Sequence, residues 1–339
     1  MADFVHLHNH SHYSLLDGAC RINDLVKKTL DFSMPALALT DHGNMFGAVE
    51  FYKACKSKGI KALIGSEVYV APKSRFDRGG DAKSGGYSFH LVLLCKNETG
   101  YKNLIKLVSA GFVEGFYYKP RIDHDLLRVH SDGLVALSAC LKGEVANTYL
   151  REGHDRALHV IEKYQSVFGQ DFYLEVQNHG IEEEDQVRKG IYQLADETGV
   201  KVVATNDIHY LEKEHWDAHD VLLCLQTGKD YDDPARMRYN SHELYFKSDA
   251  EMKEIFSDHP EVLTNTLEVA DKCNLEMNLS TYHLPDFTLP EGEESPNLTD
   301  YLKKLAHEGL TKRYDTITPE LESRLYYELD VIGKMGYAG

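Results

Sequence analysis

The sequence has 339 residues, 42% of them hydrophobic and 27% charged, which is typical of a folded water-soluble protein. Its net charge of -17 argues against a general nucleic-acid-binding surface, although a site that takes one strand end stays compatible with it. The chain lacks an apolar stretch of membrane-spanning length, a signal peptide and a CxxC pair among its six cysteines, so we expect a cytoplasmic protein with reduced thiols.

Short apolar or β-branched runs alternate with amphipathic helical patterns over the first 205 residues. The predicted strands are Phe4–His8, Ala36–Thr40, Lys61–Ile64 (with an extension to Val70 left open), Phe89–Cys95, Leu134–Ser138, Phe172–Val176 and Lys201–Thr205. The predicted helices are Asn23–Phe32, Met45–Lys58, Tyr101–Ala110, Asp155–Phe168 and Glu184–Thr198. This alternation predicts an α/β fold with a parallel sheet, and seven units favour a barrel. An open doubly wound sheet is the alternative, but no GxGxxG follows a strand.

From about Ala218 the pattern changes to helices and loops. Helices are predicted at Ala250–Ile255 and Glu261–Lys272, and the proline- and glutamate-rich stretch 284–297 is predicted to be a linker. Two further helices are predicted at Leu298–Arg313 and Pro319–Met335. The chain stops at Gly339 without a cap or a polar tail, so we expect it to be part of a longer protein.

Side chains that can bind metals follow five of the seven predicted strands, where a parallel barrel places its functional residues. In chain order they are His6, His8, His10 and His12 with Asp17 a little later, then Asp41 and His42, then Glu67, then Cys140, and finally Asp207 and His209. An H-x-H or D-x-H spacing on an extended strand puts both side chains on one face. Imidazole and carboxylate ligands together suit zinc, manganese and iron, and a thiolate favours zinc.

Each of these motifs also has a simpler explanation when it is taken alone. Thr40-Asp41-His42-Gly43 is often a turn that caps a helix, and Cys140 could be a small buried residue. Their occurrence at successive strand ends is what predicts a multinuclear metal site that activates water and holds a phosphate. His90 does not follow this rule, because it lies near the start of its run; either that strand is reversed or its boundary is misplaced.

These residues lie in motifs that resemble the polymerase and histidinol phosphatase (PHP) domain family, and within it the PHP domains of bacterial replicative DNA polymerase III alpha subunits. The matching stretches are HLHNHSHYSLLDGA, ALALTDHGNMFGAVEFY, LIGSEVYV, YSFHLVLLCKNETGYKNL, FYYKPRID, LSACLKGEVA and VVATNDIHYL. They follow the family's order over residues 4 to about 283. The tail from 298 to 339 is similar to the start of that subunit's polymerase palm.

The resemblance implies a distorted seven-stranded (β/α)7 barrel with a C-terminal helical extension. It divides the chain into a barrel at 1–283 with a helical elaboration at 215–283, the linker at 284–297, and the truncated start of a palm at 298–339. It also implies three divalent metal ions, zinc or manganese with iron as a further option. The implied ligands are His8, His10, Glu67 and Asp207 for one metal, which are also the expected catalytic residues; Glu67, His90 and Cys140 for a second; and Asp17, His42 and His209 for a third.

The favoured function is a 3′–5′ exonuclease that proofreads during DNA replication, a hydrolase whose metals activate the attacking water. Two segments are expected to contact the single-stranded 3′ end. They are the glycine-rich loop Pro72–Tyr87 with Lys73, Arg75, Arg78 and Lys83, and the cluster of Phe116, Tyr117, Tyr118, Lys119, Pro120 and Arg121. The alternative without a DNA-binding function is that the loop is only an insertion and that one or both tyrosines pack in the hydrophobic core.

Two alternatives stay open: a phosphomonoesterase that acts on a small metabolite, and a metal-stabilised structural module that docks a polymerase or another exonuclease subunit. The expected partners are the rest of a polymerase polypeptide and replisome subunits, and the chain is expected to be monomeric. We expect no polymerase activity, because Asp300, Asp315 and Asp330 are too far apart to supply a palm's D-x-D pair.

Overall fold

The computed structural model describes residues 2–15, 17–79, 88–281 and 287–339. The chain divides into two structural units, Met1–Met277 and Asn278–Gly339. Within the described ranges, no helix has both the length and the apolar character needed to cross a membrane.

The first unit contains one curled sheet surrounded by helices. Its strands are β1 (Ala36–Leu39), β2 (Lys61–Val70), β3 (Phe89–Cys95), β4 (Phe116–Tyr117), β5 (Lys119–Ile122), β6 (Leu134–Leu137), β7 (Phe172–Val176) and β8 (Val202–Ala204). Its helices are α1 (Ile22–Asp31), α2 (Ala48–Lys58), α3 (Glu98–Val113), α4 (His124–His130), α5 (Glu144–Glu152), α6 (His154–Phe168), α7 (Glu182–Thr198), α8 (Trp216–Thr227), α9 (Asp249–Ile255) and α10 (Glu261–Lys272).

The strands run in the order β4-β5-β2-β3-β6-β7-β8, and β1 pairs with β2. Residues 4–10 were predicted to contain a strand, and the structure instead gives them irregular backbone with isolated hydrogen bonds on both sides. The Ala38 amide donates to the His6 carbonyl at 3.1 Å, and the Ile208 amide donates to the His8 carbonyl at 3.3 Å. This N-terminal segment therefore connects β1 with the chain that follows β8, and it closes the curled sheet into a distorted α/β barrel.

The fourth predicted strand runs against its neighbours. β3 pairs antiparallel with both β2 and β6, whereas β1–β2, β6–β7 and β7–β8 are parallel. Because a reversed strand begins where its neighbours end, His90 lies beside Tyr69 near the end of β2. The first of the two explanations for His90, a reversed strand, is confirmed.

Both faces of β1, β3, β6, β7 and β8 are buried, which explains their largely apolar sequences. In β1, Ala36 and Ala38 face a small cluster inside the barrel, whereas Leu37 and Leu39 face the larger cluster under the helices. β6 alternates in the same way. The barrel interior is therefore filled by side chains, and polar residues are accommodated where the strands end.

The helices predicted from periodicity agree with α1, α2, α3, α6, α7, α9 and α10 to within about four residues, the usual error for element ends. The short helices α4 and α5 and the β4–β5 pair were not predicted. α4 has only seven residues, too few for a periodic pattern, and it begins where the Asp123 side chain accepts a hydrogen bond from the Leu126 amide.

The second unit contains α11 (Leu298–Arg313) and α12 (Pro319–Lys334). Both begin at side-chain caps: Asn297 accepts from the Asp300 amide, and Thr318 accepts from the Leu321 amide. α11 has the predicted bounds, and α12 ends one residue before the predicted end.

Candidate metal centre

Three groups of potential metal ligands lie where the parallel strands end and β3 begins. They are His8, His10 and Asp207; Glu67, His90 and Cys140; and His10, His42 and His209. Within each group the ligand atoms lie within 4.8 Å of one another. Asp17 joins the third group through its Oδ2 atom, 3.1 Å from His42 Nε2. All nine side chains that the sequence singled out as ligands are thus brought together.

Glu67 lies at the centre of these groups and is 1% exposed. Its carboxylate oxygens are 2.6 Å from His90 Nδ1, 2.5 Å from His42 Nδ1 and 3.5 Å from His8 Nε2. His10 Nε2 is 3.9 Å away. One carboxylate that contacts four imidazoles has the position needed to bridge cations.

Two imidazoles are oriented by hydrogen bonds on their outer nitrogens. His8 Nδ1 donates to Glu175 Oε1 at 2.7 Å, and His209 Nδ1 donates to the Asp207 carbonyl at 2.8 Å. Because carboxylate and carbonyl oxygens only accept hydrogen bonds, each ring has a hydrogen on Nδ1. The Nε2 atoms of both rings therefore face the cluster.

A third imidazole, His10, is oriented through a serine. Its Nδ1 atom lies 3.0 Å from Ser14 Oγ, which itself donates to Asp41 Oδ1 at 2.8 Å. Burial, followed by the charge of His42, lowers the pKa of His10 to about 3, so this ring is neutral at neutral pH. A neutral ring with a free Nε2 lone pair is the form that binds a metal.

Charges within the cluster keep its carboxylates ionised. Burial opposes ionisation of Glu67, but neighbouring imidazoles, His90 first, hold its pKa well below the usual value. Burial likewise opposes ionisation of Asp207, and the charge of His8 holds its pKa well below normal. Burial, followed by the charge of Glu67, raises the pKa of the Cys140 thiol well above its usual value. Cys140 therefore needs a cation beside it to become a thiolate ligand.

The unsatisfied polar atoms of the cluster fit a bound cation. Several buried nitrogens and oxygens here have no hydrogen-bond partner among the described residues, which is rare for buried polar atoms. They are His8 Nε2, His10 Nε2, Asp17 Oδ1, His42 Nδ1, Glu67 Oε2, Asp207 Oδ1 and His209 Nε2. Some of these atoms are only 2.5–3.9 Å apart, with His42 Nδ1 and Glu67 Oε2 the closest pair, yet they do not point along hydrogen-bond directions. Convergence of this kind suits divalent metal ions held by imidazole and carboxylate ligands.

The backbone is strained at two candidate ligands. Asp207 has φ 45°, and Ala139, which precedes Cys140, has φ 62°. Non-glycine residues with positive φ are uncommon and persist where surrounding contacts impose them. Next to Asp207, the Asn206 side chain donates to the carbonyls of Glu243 and Tyr245, at 2.8 Å each. These bonds fix the turn that directs the Asp207 carboxylate inward.

Sequence reasoning missed the residues that hold the ligands. Glu175 is buried in the middle of β7 and receives, besides the His8 bond, a hydrogen bond from Gln177 Nε2 at 3.0 Å. A glutamate inside the otherwise apolar run FYLEV was the available signal. His6 and His12 of the first motif are not part of the three groups. His6 Nε2 is instead 2.8 Å from the Lys247 carbonyl.

Glu175→Gln should lower metal affinity or hydrolysis by about 10- to 100-fold, the usual effect of losing a partner that orients a metal-binding histidine. The matched control is Glu144→Gln, because Glu144 forms a buried pair of the same 2.7 Å length with His124, which is not a candidate ligand. Titration of metal-free protein with zinc measures the affinity. Equal zinc affinities for the two variants would show that Glu175 does not orient His8 for metal binding.

Two of the three arginines predicted to contact a DNA strand, Arg75 and Arg121, are occupied within the fold. Arg75 pairs with Glu114 at 2.6 Å and with Asp123 at 3.0 Å. Arg121 is 3% exposed, and its guanidinium donates to the carbonyls of Gly115 at 3.2 Å and of Arg75 at 3.3 Å. Both side chains hold the 75–79 stretch in place, so little of either is left for a phosphate.

Further predicted strand contacts lie on β4, on β5 and in the turn between them. Tyr117 and Tyr118 have ring centroids 4.6 Å apart, and Tyr118 is 50% exposed. Lys119 is exposed, with its Nζ atom 5.4 Å from the centroid of the buried Tyr69 ring. Lys83 and the glycines around it lie outside the described residues.

Comparison with known proteins matches residues 6–179 to the PHP domain family. The chain is 44% identical over 337 residues to the DNA polymerase III subunit alpha of Treponema pallidum (strain Nichols), covering 99% of this chain and 28% of that protein. It is 45% identical over 325 residues to the same subunit of Thermus aquaticus, covering 93% of this chain and 26% of that protein. The chain thus spans less than a third of these relatives.

Among solved structures, the chain is similar to a putative metal-dependent phosphoesterase from Bifidobacterium adolescentis. The TM-score is 0.40 and the identity 15%, over 75% of this chain and 95% of that one.

Proposed function

Because the chain belongs to the PHP domain family, we propose that it is a metal-dependent phosphoesterase, and more closely the 3′–5′ exonuclease domain of a DNA polymerase III alpha subunit. One observation carries this proposal: nine ligand-capable side chains converge around Glu67 and leave buried lone pairs without partners. The intact set of nine favours an active site over a purely structural module. Residues 298–339 are proposed to be the start of a polymerase palm, with the rest of that polypeptide and the replisome as partners.

We propose that the site holds three divalent ions. The proposed ligands are His8, His10, Glu67 and Asp207 for the first, Glu67, His90 and Cys140 for the second, and Asp17, His42 and His209 for the third. The grouping of Glu67, His90 and Cys140 within 4.8 Å supports the second set as it stands. The ligand nitrogen of His10 lies within 4.8 Å of ligand atoms in both the first and the third set, so its ring lies between the two sets. The thiol favours zinc, and manganese also suits the remaining ligands.

Bound metals would supply an activated water and positive charge for the phosphoryl oxygens. Hydrolysis would join the water oxygen to the terminal phosphorus and break the bond to the 3′ oxygen of the preceding nucleotide, which takes up a proton. The side chain of Asp207 is 13% exposed, and its Oδ1 atom lacks a hydrogen-bond partner among the described residues. This carboxylate is therefore placed to bind the ion that would activate the attacking water. His8, held by Glu175, would bind the same ion through its Nε2 atom.

Two exposed lysines stand near the Glu67, His90 and Cys140 group and would attract a phosphate backbone. The carbonyl of Lys142 accepts a hydrogen bond from the His90 amide at 3.0 Å. Lys119 lies over Tyr69, whose ring is 5.1 Å from the His90 ring. In the described parts of the chain, neither ammonium forms a hydrogen bond or an ion pair. Two free cations beside the site favour a polyanionic substrate despite the net charge of -17.

Lys142→Gln should weaken single-stranded DNA binding about tenfold at low salt, since it removes a charged hydrogen-bond donor. It should also reduce the slope of log affinity against log salt by about one, as expected when one phosphate contact is lost. Lys58→Gln is the control, because Lys58 ends α2, just before β2 begins and thus at the opposite end of the strands. Fluorescence anisotropy of a labelled oligonucleotide measures both quantities. An unchanged salt slope for Lys142→Gln would remove Lys142 from the binding surface.

The proposed activity is tested by comparing two substrates, a 3′-labelled single-stranded oligonucleotide and a small chromogenic phosphate ester. An exonuclease releases the 3′ label as a mononucleotide, retains a 5′ label, and is much less efficient on the ester. Efficient cleavage of the ester without release of the 3′ label would instead assign a phosphomonoesterase. If neither substrate is cleaved by metal-loaded protein, the domain has a structural function.

A further inference from the structure

The segment that links α8 and α9, residues 229–247, is attached firmly beside the candidate metal centre. Arg236 makes a two-pronged contact with the Asp220 carboxylate of α8, with one Nη1–Oδ1 distance of 2.6 Å. Further along, Ser241 donates to the His179 carbonyl at 2.7 Å. The bonds from Asn206 to the carbonyls of residues 243 and 245 hold its last part. The part of the segment between Arg236 and Ser241 is therefore held at both of its ends.

Tyr239 lies between these anchors and faces the metal centre. Its ring centroid is 5.8 Å from that of His209 and 5.5 Å from that of His219. Burial, followed by the negative charges of Asp207 and Asp17 and of further acids in the cluster, raises the pKa of Tyr239 well above its usual value. The ring distances place Tyr239 next to both His209 and His219, beside the third proposed ligand set.

The Tyr239 hydroxyl has no hydrogen-bond partner in the described part of the chain. The hydroxyl is also not fully enclosed, so a bound molecule can reach it. The surrounding acids belong to the proposed ligand sets, and bound metals would occupy their oxygens. What this hydroxyl can reach is then the space in which a substrate's phosphoryl group would lie.

We propose that Tyr239 donates a hydrogen bond to a phosphoryl oxygen of the bound substrate, on the His209 side of the site. This inference rests on the proposed phosphoesterase function and adds to it a residue that contacts the substrate. A neutral donor aimed at an anionic oxygen makes a charge-assisted hydrogen bond, which is stronger than one between neutral groups. The same contact would help to hold the phosphorus in line with the attacking water.

The test uses Tyr239→Phe in the full chain and measures the affinity of zinc-loaded protein for inorganic phosphate by calorimetry. Tyr231→Phe is the matched control, because Tyr231 is in the same segment but exposed, with its ring 4.8 Å from the Arg236 guanidinium carbon. We expect phosphate affinity to fall about tenfold in Tyr239→Phe, the usual scale for losing a hydrogen bond to a charged group. The control should stay within about twofold of the wild type, and both variants should bind as much zinc as it does.

Two results would overturn the inference: wild-type phosphate affinity in Tyr239→Phe, or a loss that follows lower zinc content instead of a lost contact. Because phosphate binding needs no turnover, the comparison decides the function of Tyr239 even if the oligonucleotide assay fails. Failure of wild-type protein to bind phosphate at all would overturn it too.

Discussion

Asp207→Asn is expected to reduce hydrolysis by roughly 1000-fold, on the scale seen when a group that stabilises the transition state is removed. Asp207 Oδ1 lies 3.0 Å from His10 Nε2 and 3.4 Å from His8 Nε2, so the substitution removes a charge from the centre of the cluster. Asparagine has nearly the same shape. It also tolerates positive φ, which residue 207 adopts at 45°.

The fold of this variant should therefore persist, as checked by its circular dichroism spectrum and thermal unfolding. Asp196→Asn, which changes an exposed acid on α7, provides the control for a generic loss of negative charge. If Asp207→Asn cleaves a 3′-labelled oligonucleotide at the wild-type rate, the assignment of the site is wrong.

Glu67→Gln is expected to have the second large effect, namely the loss of both metal content and hydrolysis. A neutral amide in place of the carboxylate leaves four imidazoles without their shared negative charge. Loss of a bridging ligand should lower metal affinity by at least about 100-fold, since losing a residue that only orients a ligand typically costs about 10- to 100-fold.

Elemental analysis after gel filtration measures this effect. The comparison variant is Glu184→Gln, because Glu184 forms a buried 2.7 Å pair with His179, a histidine outside the three ligand groups. Glu184→Gln should retain the wild-type metal content. Equal metal content in Glu67→Gln and the wild type would mean that Glu67 does not bridge the ions.

The positions of most strands and the grouping of the candidate ligands were accessible from the sequence for a physical reason. Strands buried on both faces read as continuous apolar runs, and the polar residues that end them mark one edge of the sheet. His42, Glu67 and Asp207 each follow such a run, so the pattern placed them together without a structure. The family resemblance added His90, whose position the pattern alone left unexplained.

The direction of β3 was not accessible, because an apolar run has the same composition in either direction. The function of Arg121 was misjudged for a related reason: the sequence shows a cation beside aromatic residues, but not the three carbonyls of the 75–79 stretch and Gly115 that enclose it. A local sequence pattern indicates which side chains prefer solvent and which prefer the core. It does not indicate which distant backbone atoms a side chain will contact.

Residues that support the site were the hardest to predict. Glu175 holds His8 across 167 positions of sequence, and Tyr239 comes from a segment without a regular pattern. Such contacts form because the sheet closes and because residues 229–247 are anchored. Neither feature leaves a periodic pattern in the sequence. A buried charge within a strand, as at Glu175, is the one local feature that points to them.

The most direct test of the metal-dependent phosphoesterase is a titration. Protein stripped with a chelator would be given zinc or manganese in steps while release of a 3′ label from single-stranded DNA is followed. We expect stripped protein to be inactive, and we expect activity to return and to saturate as the third ion per chain binds. Full activity in stripped protein, or binding of three ions without any hydrolysis, would contradict it.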